Sequence, residues 1–153
     1  ESFQNRNICV IGSSMGAYLA VLAAQNNLNI HALYLMAPGF NFLNRWMQKL
    51  SLVQENKDLW KPIVPIFHYK YGETRYINTH LFKDALVWSK KNLKRKLPTR
   101  IVHGIFDEVV PIAESRRFLA NHPWCSLNEL KADHGLLTHV DWIVVDCISY
   151  FKK

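Results

Sequence analysis

The chain is expected to fold as a three-layer α/β/α structure around a mostly parallel sheet, and three observations predict it. Short apolar runs alternate with helix-favouring stretches, the rhythm of strand–helix–strand units. Nearly half of the residues are apolar (49%) and only 20% are charged, a globular composition. At 153 residues the chain fits one domain with a real core.

The elements follow in order. Ile8-Cys9-Val10-Ile11 is an apolar run that reads as a strand, and Ala17 to Ala24 reads as the helix after it. Asn26-Asn27-Leu28-Asn29 punctuates, and Ile30 to Met36 is a buried strand that Ala37-Pro38-Gly39 stops. Thr99 to His103 is the next strand, with Pro111 opening a helix through Leu119-Ala120. Trp124 to Leu130 alternates as a strand, and Leu137 to Phe151 carries apolar residues at helical spacing.

The segment 40–97 breaks the rhythm. It holds Trp46, Trp60, Tyr69, Tyr71, Tyr76 and Trp88, and two helix-like stretches, Asn44–Val53 and His80–Leu93, with Pro62 and Pro65 between them. Two readings stand: an insertion forming a lid over a pocket, or an ordinary crossover helix with aromatics in a core.

Between the first strand and the first helix lies Gly12-Ser13-Ser14-Met15-Gly16, a G-x-S-x-G pattern. In that context it reads as a nucleophile elbow, a tight strained turn lifting the Ser14 hydroxyl to the carboxyl end of the sheet. A side chain at Gly12 or Gly16 is expected to collide with the neighbouring strand or helix. The following helix N-terminus aims backbone N–H groups where an oxyanion could develop.

A serine hydroxyl needs a base, and the base needs a third group to orient it. Asp107 sits in His103-Gly104-Ile105-Phe106-Asp107-Glu108-Val109-Val110-Pro111, just past a strand end, with Glu108 as its competitor. His134, in Ala132-Asp133-His134-Gly135, follows the Trp124–Leu130 strand. Its rival is His139, one turn further on. His31 and His103 lie on strands and read as satisfied structural histidines, while His68, His80 and His122 lack a strand-end setting.

These three motifs together resemble the α/β-hydrolase superfamily, in particular its small esterase and thioesterase-like and serine-aminopeptidase-like members. The resemblance runs from Ile8 to the C-terminus. It implies Ser14 as nucleophile, Asp107 as orienting acid, His134 as general base and the Met15 N–H as one oxyanion donor. The elbow comes only a dozen residues into a chain that opens with Glu1, so the expectation is the C-terminal part of a longer protein, its N-terminal strands absent. The second oxyanion donor then belongs to a missing N-terminal segment or to a partner chain completing the sheet.

The implied activity is acyl transfer on a small-molecule ester or thioester, with no metal or organic cofactor. Alternatives are an amidase or aminopeptidase, and a non-catalytic hydrolase-fold binding module. The net charge of +7 gathers partly at Lys90-Lys91 and Lys94-Arg95-Lys96. No nucleic-acid motif accompanies it, so a solvated helix end is the expectation and nucleic acid is not an expected partner. Cys9, Cys125 and Cys147 lack metal-ligand spacing; Cys9 and Cys147 read as buried thiols in a reducing, cytoplasmic setting. No apolar stretch is long enough to span a bilayer.

Overall fold

A computed structural model describes residues 7–68, 71–89 and 95–152. The chain divides into two compact units, one built from residues 1–40 and 93–153 and the other from Asn41–Asn92.

The first unit holds a four-stranded parallel sheet. Its strands are β1 (Ile8–Ser13), β2 (Ile30–Met36), β5 (Thr99–Gly104) and β6 (Cys125–Leu130), in the order β1-β2-β5-β6. Strand period places successive side chains on opposite faces. On one face Leu33, Leu35 and Ile101 meet Ala17, Ala20, Val21 and Ala24 of α1 (Met15–Asn26), with Phe118 of α4 (Ala113–Asn121) against the same core. On the other face Tyr34 and Val102 meet Ile143 and Cys147 of α5 (Val140–Phe151). This is the expected three-layer α/β/α arrangement.

Polar ties fasten the outer layers. The Tyr34 hydroxyl donates to Asp146 of α5 at 2.9 Å, and Arg100 of β5 reaches the other oxygen of that carboxylate at 2.8 Å. Burial, reinforced by the Asp146 carboxylate, pushes the Tyr34 hydroxyl well above the usual tyrosine range. Arg95 spends its guanidinium on the carbonyls of Ala24, Asn27, Leu28 and Ile30, where α1 ends and β2 begins. The Lys96 ammonium lies 5.9 Å from the Trp124 ring. Lys90, Lys91 and Lys94 lie outside the described residues.

Several expectations need correction. β1 runs on to Ser13 and α1 begins at Met15, so a single residue, Ser14, makes the turn. Helix α4 starts at Ala113, two residues beyond Pro111, whose carbonyl accepts the Glu114 N–H at 2.9 Å. The terminal helix is a 3-10 turn, Leu137–His139, followed by α5. Cys9 is exposed, because β1 pairs only with β2 among the described residues. Cys147 is buried.

The second unit, Asn41–Asn92, comprises α2 (Phe42–Lys49), a 3-10 turn (Gln54–Leu59), an antiparallel hairpin of β3 (Ile63–His68) and β4 (Glu73–Asn78), and α3 (His80–Ser89). Phe42, Leu43, Trp60, Phe82 and Leu86 form its core. Trp46 packs beside them, its ring 6.2 Å from that of Phe82, and the Trp60 indole N–H donates to Val53 O at 2.9 Å. Trp60 is thus a core residue and Trp46 lies half-buried against that core, whereas Tyr71, Tyr76 and Trp88 are exposed. The first helix lies two to four residues earlier than the 44–53 expected, and the hairpin was not expected at all. Tyr69 and the end of the stretch His80–Leu93 fall outside the described residues.

Candidate active site

Parallel pairing brings the strand ends to one edge of the sheet. Ser13 pairs with Met36, Met36 with Val102, and Gly104 with Leu130. The residues that follow β1, β5 and β6 therefore emerge on the same side, and they include Ser14, Asp107 and His134.

Ser14 has φ 53° and ψ −121°, a backbone conformation that L-residues rarely adopt. Its N–H donates to Met36 O at 2.8 Å and its carbonyl accepts the Gly39 N–H at 3.0 Å, so both neighbours hold the strained turn. Gly12 is needed for it: a Cβ there would lie 2.6 Å from the Ala17 Cα and 2.8 Å from the Gly16 carbonyl. Gly16 is not, since a Cβ would point from the first turn of α1 into open space. The steric argument therefore holds at one glycine of the pair. Met15 is the first residue of α1, and a helix leaves its first N–H groups unpaired.

The Asp107 side chain is fully buried and held from four directions. Oδ1 accepts the N–H groups of Val109 at 2.9 Å and Val110 at 2.7 Å. Oδ2 faces His134 Nδ1 at 2.7 Å and His103 Nε2 at 3.1 Å. Gly104 lets this loop cross the one after β6. A Cβ on it would meet the Ala132 carbonyl and lie 2.6 Å from that of Asp133. The two loops are stitched by Ile105 N–H to Leu130 O (2.8 Å) and Phe106 N–H to Ala132 O (3.0 Å).

His134 bridges the other two. Its side chain is 26% exposed, with Nδ1 on Asp107 and Nε2 3.2 Å from Ser14 Oγ. A carboxylate can only accept, so Nδ1 carries the proton and Nε2 is free to accept the serine hydroxyl. Leu136, buried behind it at φ 55°, turns the chain from this loop toward α5. An apolar groove of about 370 Å³ opens beside His134, lined by Ile11, Met36, Val140, Val144 and Ile148 among others. That volume lies within the range of small-molecule pockets. Burial pushes the thiol of Cys147, also on this groove, above its usual range.

The rivals lie elsewhere. Glu108 is exposed, and His139 bonds the Thr138 hydroxyl at 2.9 Å. His31 is satisfied by Asn29 O at 2.7 Å, and His122 by Phe118 O at 2.7 Å. His103 is satisfied as expected, but on the Asp107 carboxylate itself. Its spacing of four residues from Asp107, across a turn opened by Gly104, is the signal that could have found it.

Among solved structures, the chain superposes on mouse alpha/beta hydrolase domain-containing protein 10 with a TM-score of 0.74 at 18% identity, covering 99% of this chain and 64% of that one. Est1E from Butyrivibrio proteoclasticus gives 0.73 at 20% identity over 96% of this chain and 62% of that one. The esterase EaEST from Exiguobacterium antarcticum gives 0.61 at 16% identity, covering 97% and 68%. The chain thus spans less than two-thirds of the length of the first two. Such likeness establishes the fold, that of the α/β-hydrolases. No curated protein matches the sequence. The model of the uncharacterised protein family UPF0227 matches residues 1–147, and the chain belongs to that family.

Proposed function

We propose that this chain carries the catalytic machinery of a serine hydrolase that cleaves an ester or thioester by acyl transfer. The carrying observation is the unbroken relay from Ser14 Oγ to His134 Nε2 (3.2 Å) and from His134 Nδ1 to Asp107 Oδ2 (2.7 Å), with Ser14 on a strained turn. The hydrolase and esterase names of its structural neighbours agree with this reading.

In this scheme Ser14 Oγ attacks the substrate carbonyl while His134 Nε2 takes the hydroxyl proton. Buried Asp107 keeps Nδ1 protonated and stabilises the imidazolium that forms. The Met15 N–H, at the positive end of α1, faces the developing oxyanion. His134 then returns the proton to the leaving group, and the acyl-Ser14 ester is hydrolysed by water activated through the same histidine. The apolar groove beside His134 favours an apolar acyl part over a charged one.

A second oxyanion donor is assigned to a preceding segment or a partner chain, which would also pair with the edge of β1 that meets no strand among the described residues. Loss of one such donor costs about 3 kcal/mol of transition-state stabilisation. The unit Asn41–Asn92 is proposed as a lid, inserted in sequence between β2 and β5.

Intact-mass spectrometry after incubation with a fluorophosphonate tests the reading, with Ser14→Ala as control. A single adduct that disappears in the variant is expected. An adduct retained by Ser14→Ala, or none on the full-length protein, would overturn the assignment.

A further inference from the structure

We infer that His103 is a positioning residue for the acid of this site, a second histidine that holds the Asp107 carboxylate in the orientation His134 needs. The inference rests on the serine-hydrolase reading above.

His103 is fully buried at the end of β5, and each ring nitrogen has a defined partner. Nε2 lies 3.1 Å from Asp107 Oδ2 and 2.9 Å from the Val110 carbonyl. Both are acceptors, so Nε2 must carry a proton, shared between them. Nδ1 lies 2.7 Å from the hydroxyl of Ser115, itself fully buried. That hydroxyl can donate to Nδ1, which makes a neutral ring with its proton on Nε2 a fully satisfied state. A further carboxylate, that of Glu129, the register partner of His103 on β6, takes a two-pronged ion pair from Arg116 at 2.6 and 2.8 Å.

The consequence is geometric. The terminal torsion of an aspartate is broad and sets where each oxygen points. Two backbone N–H groups hold Oδ1 and His103 holds Oδ2, three donors independent of His134. Oδ2 is therefore placed before the base engages it, and stays placed when His134 cycles between neutral and protonated forms. A donor supplied only by solvent would give no such fixed direction inside a fully buried side chain.

Glutamine can set an amide N–H near the position of imidazole Nε2, asparagine is too short, and leucine has no donor. In the full-length protein the saturable rate of fluorophosphonate labelling is expected to fall about tenfold or more in His103→Leu and His103→Asn. His103→Gln should recover most of it, and the half-saturating probe concentration should stay unchanged in all three. The downfield proton resonance of His134 Nδ1–H should move upfield in Leu and Asn and return in Gln. Thermal melts separate this pattern from loss of fold, and the Asn/Gln pair serves if the Leu variant does not fold. Labelling in His103→Asn equal to wild type, or equal loss in Asn and Gln, would overturn the inference. Wild-type protein that takes no label would instead remove the hydrolase reading beneath it, whereas a labelled wild type with an unmoved His134 resonance in His103→Asn would overturn the positioning role alone.

Discussion

The two units of this chain bury different things. In the sheet unit the buried residues include His103, Asp107, Glu114 and Ser115, and the turns at the sheet edge hold Ser14 and Leu136 at positive φ. In Asn41–Asn92 the core is aromatic and aliphatic, and Thr79 is the one fully polar side chain buried among the described residues, its hydroxyl donating to Lys61 O at 2.8 Å. Buried polar groups are costly unless every bond is made, so a unit that keeps five of them among its described residues, Thr99 included, is organised around a task. The other is organised around its own packing. Chemistry and stability should therefore separate by unit under mutation.

The largest expected effect lies in the sheet unit. Asp107→Asn should preserve the fold but put an amide donor beside Nδ1, favouring the wrong tautomer of His134; labelling of Ser14 should drop by about 10⁴-fold, read as the rate of adduct formation. Near-normal labelling would break the comparison at its strongest point. Next comes the other unit. Phe82→Ala removes a fully buried ring and should cost about 3–5 kcal/mol in denaturant unfolding, while the folded fraction still labels at the wild-type rate.

Smaller effects sharpen the reading of the elbow. Gly12→Ala should destabilise by about 1–3 kcal/mol, because its Cβ would press on the backbone of α1. Gly16→Ala should be neutral or stabilising by up to about 1 kcal/mol, since its Cβ meets nothing and alanine favours helix. Paired thermal melts decide it.

The gentlest test is alkaline. Burial raises the Cys125 thiol from 9.0 to about 11, so the folded state holds that proton more tightly than the unfolded chain. Its contribution to stability is then complete below pH 9 and lost as pH rises through 11. Cys125→Ala should flatten that part of the stability curve, as seen by midpoint denaturation at a series of pH values.

What could be read from the residues follows the same division. Apolar runs such as Ile30–Met36 are legible because a parallel strand is covered on both faces. Ser14, Asp107 and His134 were legible because each sits where an apolar run stops. The β3–β4 hairpin was not: β4 is exposed along nearly its whole length, so burial imposes no alternation, and Pro65 argues against a strand except at an edge. The direction of the Gly16 Cβ depends on how α1 leaves the turn, and the hold of His134 on Asp107 on how two loops cross, neither of which residue spacing encodes. His103 lies between the two cases: its strand position says buried, and only its four-residue spacing from Asp107 points to what it holds.

The crossing at Gly104 also bears on how the protein is assembled in time. Asp107 and His134 are 27 residues apart and lie on neighbouring, stitched loops, whereas His134 and Ser14 are 120 residues apart. The longer closure costs a little over two doublings of loop length, about 1.3 kcal/mol more chain entropy. Ser14 then joins a finished Asp107–His134 pair as one of the last long-range contacts to form, so on the proposed reading a half-folded chain would expose no activated serine.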